Sequence, residues 1–205
     1  MKTLTLQKIG FFGGSFDPPH FGHINLAIEM LEKRNLDEVW FCPARISPHK
    51  AELKPLAIEH RLQMVELALK DCPQTRLIDC EAKREGPSFT LDTLKLLIQT
   101  EKDKEFHLIL GEDALQNFHL WHRPEEIAAL VPILIGARTL KLNAEILNKN
   151  PLVSQAFQKG WTPTRIMQVE ATEIRKRLSE GRYCGHLLPK EVLDYINKHR
   201  LYSIA

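Results

Sequence analysis

A chain of 205 residues, 43% hydrophobic and 26% charged, has ordinary globular composition and enough length to bury a core without staples. Its 28 Lys and Arg against 26 Asp and Glu leave a net charge of only +2, which argues against a nucleic-acid partner while leaving room for a small phosphorylated ligand in a local pocket. The longest apolar stretch, Ile127 to Ala137, runs for 11 residues and is broken by Pro132 and Gly136, far short of the about 20 that span a membrane. Met1 to Phe12 alternates apolar with polar residues and lacks the apolar core of a signal peptide. The four cysteines, Cys42, Cys72, Cys80 and Cys184, form no C-x-x-C pair and are expected as reduced thiols of a cytoplasmic protein.

Strand-like and helix-like segments alternate. Ile9 to Phe12 is an apolar run ending in Gly13-Gly14, as a buried strand feeding a loop would be. Phe21 to Glu32 has helical spacing on Ile24, Ala27, Ile28 and Leu31. Val39 to Cys42 reads as a second strand stopped by Pro43, and Ala57 to Lys70 as a helix on Ile58, Leu62, Val65 and Leu69. A strand is expected at Arg76 to Asp79, a helix at Thr90 to Thr100, and strands at Phe106 to Leu110 and Val131 to Ile135. Residues 139–163 have weak periodicity. Thr172 to Glu180 suits a short helix with Thr172 as N-cap and Gly181 past its end. Pro189 to His199 suits a last helix with Pro189 in its first turn. The pattern predicts a doubly wound, Rossmann-like α/β fold with a parallel sheet covered on both faces. We expect one domain over residues 1–205, with a core to about residue 165 and a small helical part after it.

Several chemistries drop out. No G-x-G-x-x-G follows a strand, and G-x-x-x-x-G-K-[ST] and H-E-x-x-H are absent. Gly13-Gly14-Ser15-Phe16-Asp17 lacks the final glycine of a nucleophile elbow. The informative string is Gly13-Gly14-Ser15-Phe16-Asp17-Pro18-Pro19-His20-Phe21-Gly22-His23, lying between the first strand and first helix. A doubly wound fold keeps its ligand crevice there, and the glycines let backbone N–H groups approach an anion at a helix start. His20 and His23, three apart, project from one face, where two imidazoles can donate to phosphate oxygens gaining charge. The plainer reading is a tight turn with Asp17 as a cap and two solvated histidines.

That string resembles the signature of the H-x-G-H nucleotidyltransferase superfamily, in the form found in bacterial nicotinate-nucleotide adenylyltransferases. Further segments agree in order. Ser47-Pro48-His49-Lys50 is similar to the family's P-P-H-K loop, with Ser47 departing, and Pro87-Ser88-Phe89-Thr90 to its P-S-Y-T, with Phe89 for tyrosine. Gly111-Glu112-Asp113, Trp121, Thr172-Glu173-Ile174-Arg175 and the tail from Leu188-Pro189 to Tyr202 also resemble family segments, so the likeness covers residues 9–136 and 166–202. Two departures stand out. Glu170-Ala171 replaces a serine followed by a small residue, and Ala137-Arg138-Thr139 stands where Arg-Pro-Gly is usual. Either Glu170 pairs with a cation such as Arg175 or Arg165, or phosphate binding there is weakened.

The resemblance implies adenylyl transfer from ATP to nicotinate mononucleotide, giving deamido-NAD and pyrophosphate. It implies catalytic duties for His20, His23, Lys50 and Arg175. ATP would meet Gly13, Gly14, Ser15, Phe16, Gly111, Asp113, Arg138, Thr172 and Ile174. Nicotinate mononucleotide would meet Ser88, Phe89, Thr90, Trp121 and His122, with Trp121 stacked on the pyridine. Mg²⁺ would arrive with ATP, since it prefers phosphate oxygens and keeps most of its water. From the residues alone, Ser88 and Thr90 are either helix caps or ligand groups, Lys50 a mobile charge or a solvated lysine, and Asp113 a ligand-touching or a capping carboxylate. Expected partners are these two small molecules, with neither nucleic acid nor membrane; the apolar faces are those that a monomer's core also needs. The rival readings are a relative using another phosphate acceptor, such as nicotinamide mononucleotide or phosphopantetheine, and a nucleotide-binding module without turnover.

Overall fold

The computed structural model describes residues 6–47, 55–137, 139–140, 150–165 and 167–203. Its elements in chain order are β1 (Gln7–Gly14), α1 (Phe21–Arg34), β2 (Glu38–Pro43), α2 (Ile58–Leu69), β3 (Thr75–Leu77), α3 (Cys80–Lys83), α4 (Thr90–Thr100) and β4 (Lys104–Gly111). There follow 3₁₀ turns at Glu112–Ala114 and Phe118–Leu120, then α5 (Pro124–Leu130), β5 (Ile133–Ala137), α6 (Pro151–Gly160), β6 (Trp161–Pro163), α7 (Ala171–Ser179) and α8 (Lys190–Lys198). Six strands pair in parallel in the order β3-β2-β1-β4-β5-β6. The order reverses between β1 and β4, the switch point at which doubly wound sheets open a ligand crevice.

The continuous apolar strands are explained by burial on both faces. Phe11, Trp40, Leu108 and Ile135 pack into one cluster with Leu94 of α4 and Phe157 of α6. Their strand neighbours Phe12, Phe41, Ile109 and Leu134 turn to the other face and meet Ala27 and Met30 of α1 and Val65 of α2. A third cluster lies off the sheet, where Met64 and Ala68 of α2 meet Ile174, Leu188, Val192 and Ile196 from the helical part. Among the described residues no helix is long and apolar enough to cross a membrane.

Most boundaries follow the expected ones, and the differences have local causes. The third strand ends at Leu77, because Asp79 already precedes α3 as its N-cap. The fifth starts at Ile133, one residue after Pro132, which has no N–H for the ladder. α7 begins at Ala171 with Glu170 as N-cap, so Thr172 is inside the first turn rather than capping it. Pro189 is likewise the N-cap of α8 rather than its first-turn residue.

The weakly periodic stretch holds α6 and β6. Asn150 caps α6 through its side chain, accepting from the N–H groups of Leu152 and Val153, and Pro151 takes the first helical position. Gly160 ends that helix against the sheet. A Cβ there would run into the carbonyl oxygen of Ile133. Gly160→Ala is therefore expected to destabilise the fold by roughly 1–3 kcal/mol, read as a lowered urea midpoint at unchanged m-value. A midpoint equal to the parent's would mean that α6 and β5 separate without penalty.

Candidate active site

The crevice at the switch point is floored by Gly13 and Gly14 at the end of β1 and by Gly111 at the end of β4. A Cβ on Gly14 would lie 3.0 Å from the ring of Phe16, a tight fit that the missing side chain avoids. Phe16 itself sits at φ 47°, a backbone region that bulky residues avoid. Its ring is buried between Phe12 and Phe41, at centroid distances of 5.5 and 5.4 Å, and makes an edge contact with His23 at a centroid distance of 5.0 Å. Core packing thus holds a strained turn, and the turn delivers the chain to the histidines.

His20 is the N-cap of α1 and His23 its third residue. The His20 backbone N–H donates to His23 Nδ1 at 3.2 Å, which makes Nε2 the protonated nitrogen of a neutral His23 ring. The two rings stack, centroids 3.7 Å apart and 26° from parallel. His20 is 6% exposed, and burial lowers its pKa to about 4, so it is neutral near pH 7. Its Nδ1 is buried without a hydrogen-bond partner. Gly22 does not simply keep this face open. The His20 ring leans over it, 3.0 Å from where a Cβ would be. The first turn of α1 carries no acidic side chain, so the positive end of its dipole is left for an anion.

Across the crevice lies a subsite of about 100 Å³, bordered by Gly13, Gly14 and Ser15 on one side and by Ser88, Phe89, Thr90, Trp121 and His122 on the other. Trp121 rests on Phe118, centroids 5.1 Å apart, and Phe89 lies against His122 at 4.5 Å. Neither Ser88 nor Thr90 caps α4, whose N-cap is Phe89 with no side-chain bond. Instead Ser88 Oγ accepts the Arg45 N–H at 3.0 Å, and the Ser88 N–H donates to Ile46 O at 2.9 Å. Ser88 and Thr93 both bond the buried carboxylate of Glu81, Thr93 Oγ1 donating at 2.7 Å, while burial pushes that carboxyl's pKa up. Glu81 also borders the subsite, and its role was not legible in the sequence. A larger cavity of about 500 Å³, among Arg34, His107, Pro132 and Lys159, touches none of these residues.

Below the glycine turn a second network was also missed. Arg61, 1% exposed, donates to four carbonyls: Leu56 O and Ser15 O at 2.9 Å, Ala44 O at 2.7 Å and Arg45 O at 3.1 Å. Asp17 is no helix cap. Its carboxylate accepts from the Tyr202 hydroxyl at 2.6 Å and the Leu56 N–H at 3.4 Å. Burial and that carboxylate push the Tyr202 phenol's pKa well up. Arg175 Nη1 donates to the Asp17 carbonyl at 2.8 Å and Nη2 to Thr172 Oγ1 at 3.2 Å, which stations the guanidinium beside the histidine turn.

The remaining expected residues fall as follows. Asp113 is exposed in the 3₁₀ turn after Gly111. Ile174 has its side chain buried in the third cluster, and its N–H donates to Glu170 O. Glu170 is exposed at the start of α7, and neither expected cation neutralises it. Arg165 pairs with Glu29 at 3.6 Å, and Arg175 is held by Asp17. Lys50 and Arg138 lie outside the described residues.

A cytidylyltransferase-like family model matches residues 11–177. A probable nicotinate-nucleotide adenylyltransferase of Salinibacter ruber is 37% identical over 196 residues, 96% of this chain and 98% of that one. Another, of Bacillus pumilus, is 36% identical over 198 residues, 97% of this chain and the whole of the other. The chain belongs to the nicotinate-nucleotide adenylyltransferase family. Its fold is also that of the nicotinic acid mononucleotide adenylyltransferase of Plasmodium falciparum, solved with NaAD, at a TM-score of 0.77 and 21% identity over 96% of this chain and 97% of that one. Two of the departures named from the sequence can be placed here. Phe89 keeps an aromatic ring against His122, and Glu170 stays at the surface.

Two expectations follow from this geometry. His20 titrates at about 4 in the fold against 6.5 in an open chain, so between these values the unfolded state takes up a proton that the folded state refuses. Stability therefore falls as pH falls through that window, by on the order of 3 kcal/mol for this group, with no further loss from it once both states are protonated. His20→Gln should flatten that part of the profile in urea titrations; an unaltered slope would assign the effect to other groups. Tyr202→Phe removes one donor from the buried Asp17 carboxylate. It should cost about 1–3 kcal/mol and raise the KM for ATP by loosening the turn that holds Arg175. Parental stability and KM would show that water replaces the hydroxyl at no loss.

Proposed function

We propose that the chain joins the adenylyl group of ATP to nicotinate mononucleotide at this crevice, with His20, His23 and Arg175 serving the phosphates. The 5′-phosphate of the mononucleotide attacks the α-phosphorus of ATP in line, and pyrophosphate leaves from the opposite side. No protein nucleophile takes part, so catalysis consists of holding two anions in line and stabilising the charge that shifts to the leaving oxygens. Neutral imidazoles suit this chemistry, because each offers an N–H to developing charge without trapping the product phosphate as a fixed cation would.

The glycine turn from Gly13 to Phe16 borders the adenosine side, and Thr172 and Arg175 take the distal phosphates, with Lys50 and Arg138 as further cations. Ser88, Phe89 and Thr90 present the start of α4 to the nicotinate carboxylate, and Trp121 and His122 flank its ring. Mg²⁺ brought by ATP would supply charge neutralisation on the phosphates. The reaction is assigned to the cytoplasm, where ATP is available and cysteines rest as thiols, the form all four take here.

The observation that carries this reading is the subsite in which Gly13 to Ser15 face Ser88 to Thr90, Trp121 and His122. A flat ring beside a phosphate turn suits that lining, which phosphopantetheine does not require; nicotinamide mononucleotide has the same ring and differs from the acid only in lacking the carboxylate. The test is pyrophosphate release with ATP and Mg²⁺, comparing nicotinate mononucleotide with nicotinamide mononucleotide. The acid should be strongly preferred, and His20→Ala should lower kcat by about 100-fold or more while changing the mononucleotide KM little. Equal losses in kcat and binding would remove His20 from the transition state. Absence of release with either mononucleotide would overturn the acceptor assignment.

A further inference from the structure

Two of the four cysteines meet beneath the nicotinate subsite. Cys42, near the end of β2, is fully buried and pairs in register with Gly13 of β1. Cys80 opens α3 and is partly exposed. Their sulfurs are 3.6 Å apart. Both are free thiols. The hydrogen bond between them favours the thiolate at Cys80, whose pKa is lowered, and burial adds to the same bond in raising that of Cys42. Thiolate character therefore falls on the sulfur nearer solvent, with a protonated thiol directly behind it. That is the arrangement of an attacking and a resolving cysteine.

We propose that Cys42 and Cys80 form an oxidation site at which hydrogen peroxide converts the dithiol into a disulfide, and that this disulfide weakens use of nicotinate mononucleotide. The second half rests on the acceptor assigned above. In the first step the Cys80 thiolate attacks one peroxide oxygen. The O–O bond breaks, leaving a sulfenic acid on Cys80 and a hydroxide that takes up the proton released by the Cys80 thiol. In the second step Cys42 sulfur attacks Cys80 sulfur. The S–S bond forms, the S–O bond breaks, and the departing hydroxide leaves as water with the Cys42 proton. Two electrons pass from the sulfurs to the peroxide, and the net products are one disulfide and two waters.

Closing the gap to a bond of about 2.05 Å brings the sulfurs together by roughly 1.5 Å. Cys42 is fixed in a strand paired on both sides, so Cys80 and the four-residue α3 must do the moving. The next residue is Glu81, whose carboxylate is bonded by Thr93 and Ser88. Ser88 in turn accepts the Arg45 N–H at 3.0 Å. Displacing α3 pulls on the wall that presents Ser88 to Thr90, while the glycine turn and the histidines, held by Arg61 and by Phe16, stay in place.

The experiment uses the full chain, reduced or treated with hydrogen peroxide, then alkylated, digested and analysed by mass. A peptide pair joined through Cys42 and Cys80 is expected, with Cys72 and Cys184 alkylated equally in both samples. The oxidised protein should show a KM for nicotinate mononucleotide raised by about threefold or more, a KM for ATP within about twofold of the reduced value, and full recovery with dithiothreitol. Cys80→Ala, whatever its own basal KM, should show the same kinetics before and after peroxide; Cys80→Ser serves the same purpose if the alanine variant folds poorly. Sulfinic acid at Cys80 without the disulfide, or a bridge to another cysteine, overturns the site. A Cys42–Cys80 bridge with an unchanged mononucleotide KM overturns the coupling. The bridge is mapped by mass rather than turnover, so an inactive reduced protein would count against the assigned reaction and not against the thiol pair.

Discussion

A buried guanidinium holds the site together. Parallel strands deliver their last carbonyls to one edge of the sheet, where the chain leaves the ladder and those oxygens lose their partners. Arg61 meets that need with one planar group, bonding Ser15 after β1, Ala44 and Arg45 after β2, and Leu56 before α2. A lysine has neither the reach nor the fork to serve four carbonyls at once. Burying the charge is unfavourable by itself, and the arrangement persists because the hydrogen bonds are complete and the Asp17 carboxylate lies near enough to favour the charged form. The glycine turn, the loop after β2 and the approach to α2 thus move as one piece.

Asp17 carries that constraint towards the chemistry. Its carboxylate faces inward to Tyr202 and the Leu56 N–H, so its negative charge is directed away from the crevice. Its carbonyl faces Arg175, and three residues later the chain reaches His20. Arg200 and Tyr202 both adopt positive φ, 51° and 62°, at the chain's end. Non-glycine residues take that conformation only when surrounding contacts over-determine it, and here the contact is the Tyr202 hydroxyl on Asp17. The helical part from α7 onward is therefore tied to the site by the Arg175 and Tyr202 bonds to Asp17 as well as by the apolar cluster on α2. Glu170 fits the same arrangement of charge: exposed at the start of α7, it lies where a helix dipole favours an anion, with the cations nearby already engaged.

The fold was legible where the pattern was redundant. Apolar runs at β1, β2, β4 and β5 and helical spacing at α1, α2 and α4 each had a flanking glycine, proline or polar turn to bound them. α6 and β6 were not legible, since β6 is a three-residue edge strand ending in proline and Gly160 interrupts both patterns. The Asn150-Pro151 pair was the available signal, a cap followed by a first-turn proline. In the site, the string from Gly13 to His23 announced the crevice, and the Ser88 to Thr90 and Trp121 segments announced its far wall. The supporting groups were silent for a different reason. Arg61 looks like any polar residue of an amphipathic helix, and Glu81 like any surface acid. What distinguishes them is burial, which depends on contacts between residues distant in the chain. Ile174 sits between two ligand-type residues while its own side chain faces the core, an orientation that the motif alone does not reveal.

The two walls of the crevice are thus held by different means. The turn from Gly13 to His23 and its neighbours after β2 are fixed by Arg61, by the packed ring of Phe16 and by Asp17. The wall from Ser88 to Thr90 depends on Glu81, and Glu81 belongs to a single-turn helix whose first residue is Cys80. A four-residue helix has little stability of its own, so its position is set by side-chain bonds. The Cys42–Cys80 contact is one of those bonds, joining α3 to the strand beside Gly13. The separation of the walls therefore depends on how α3 is held against β2 as well as on the packing of the histidine side.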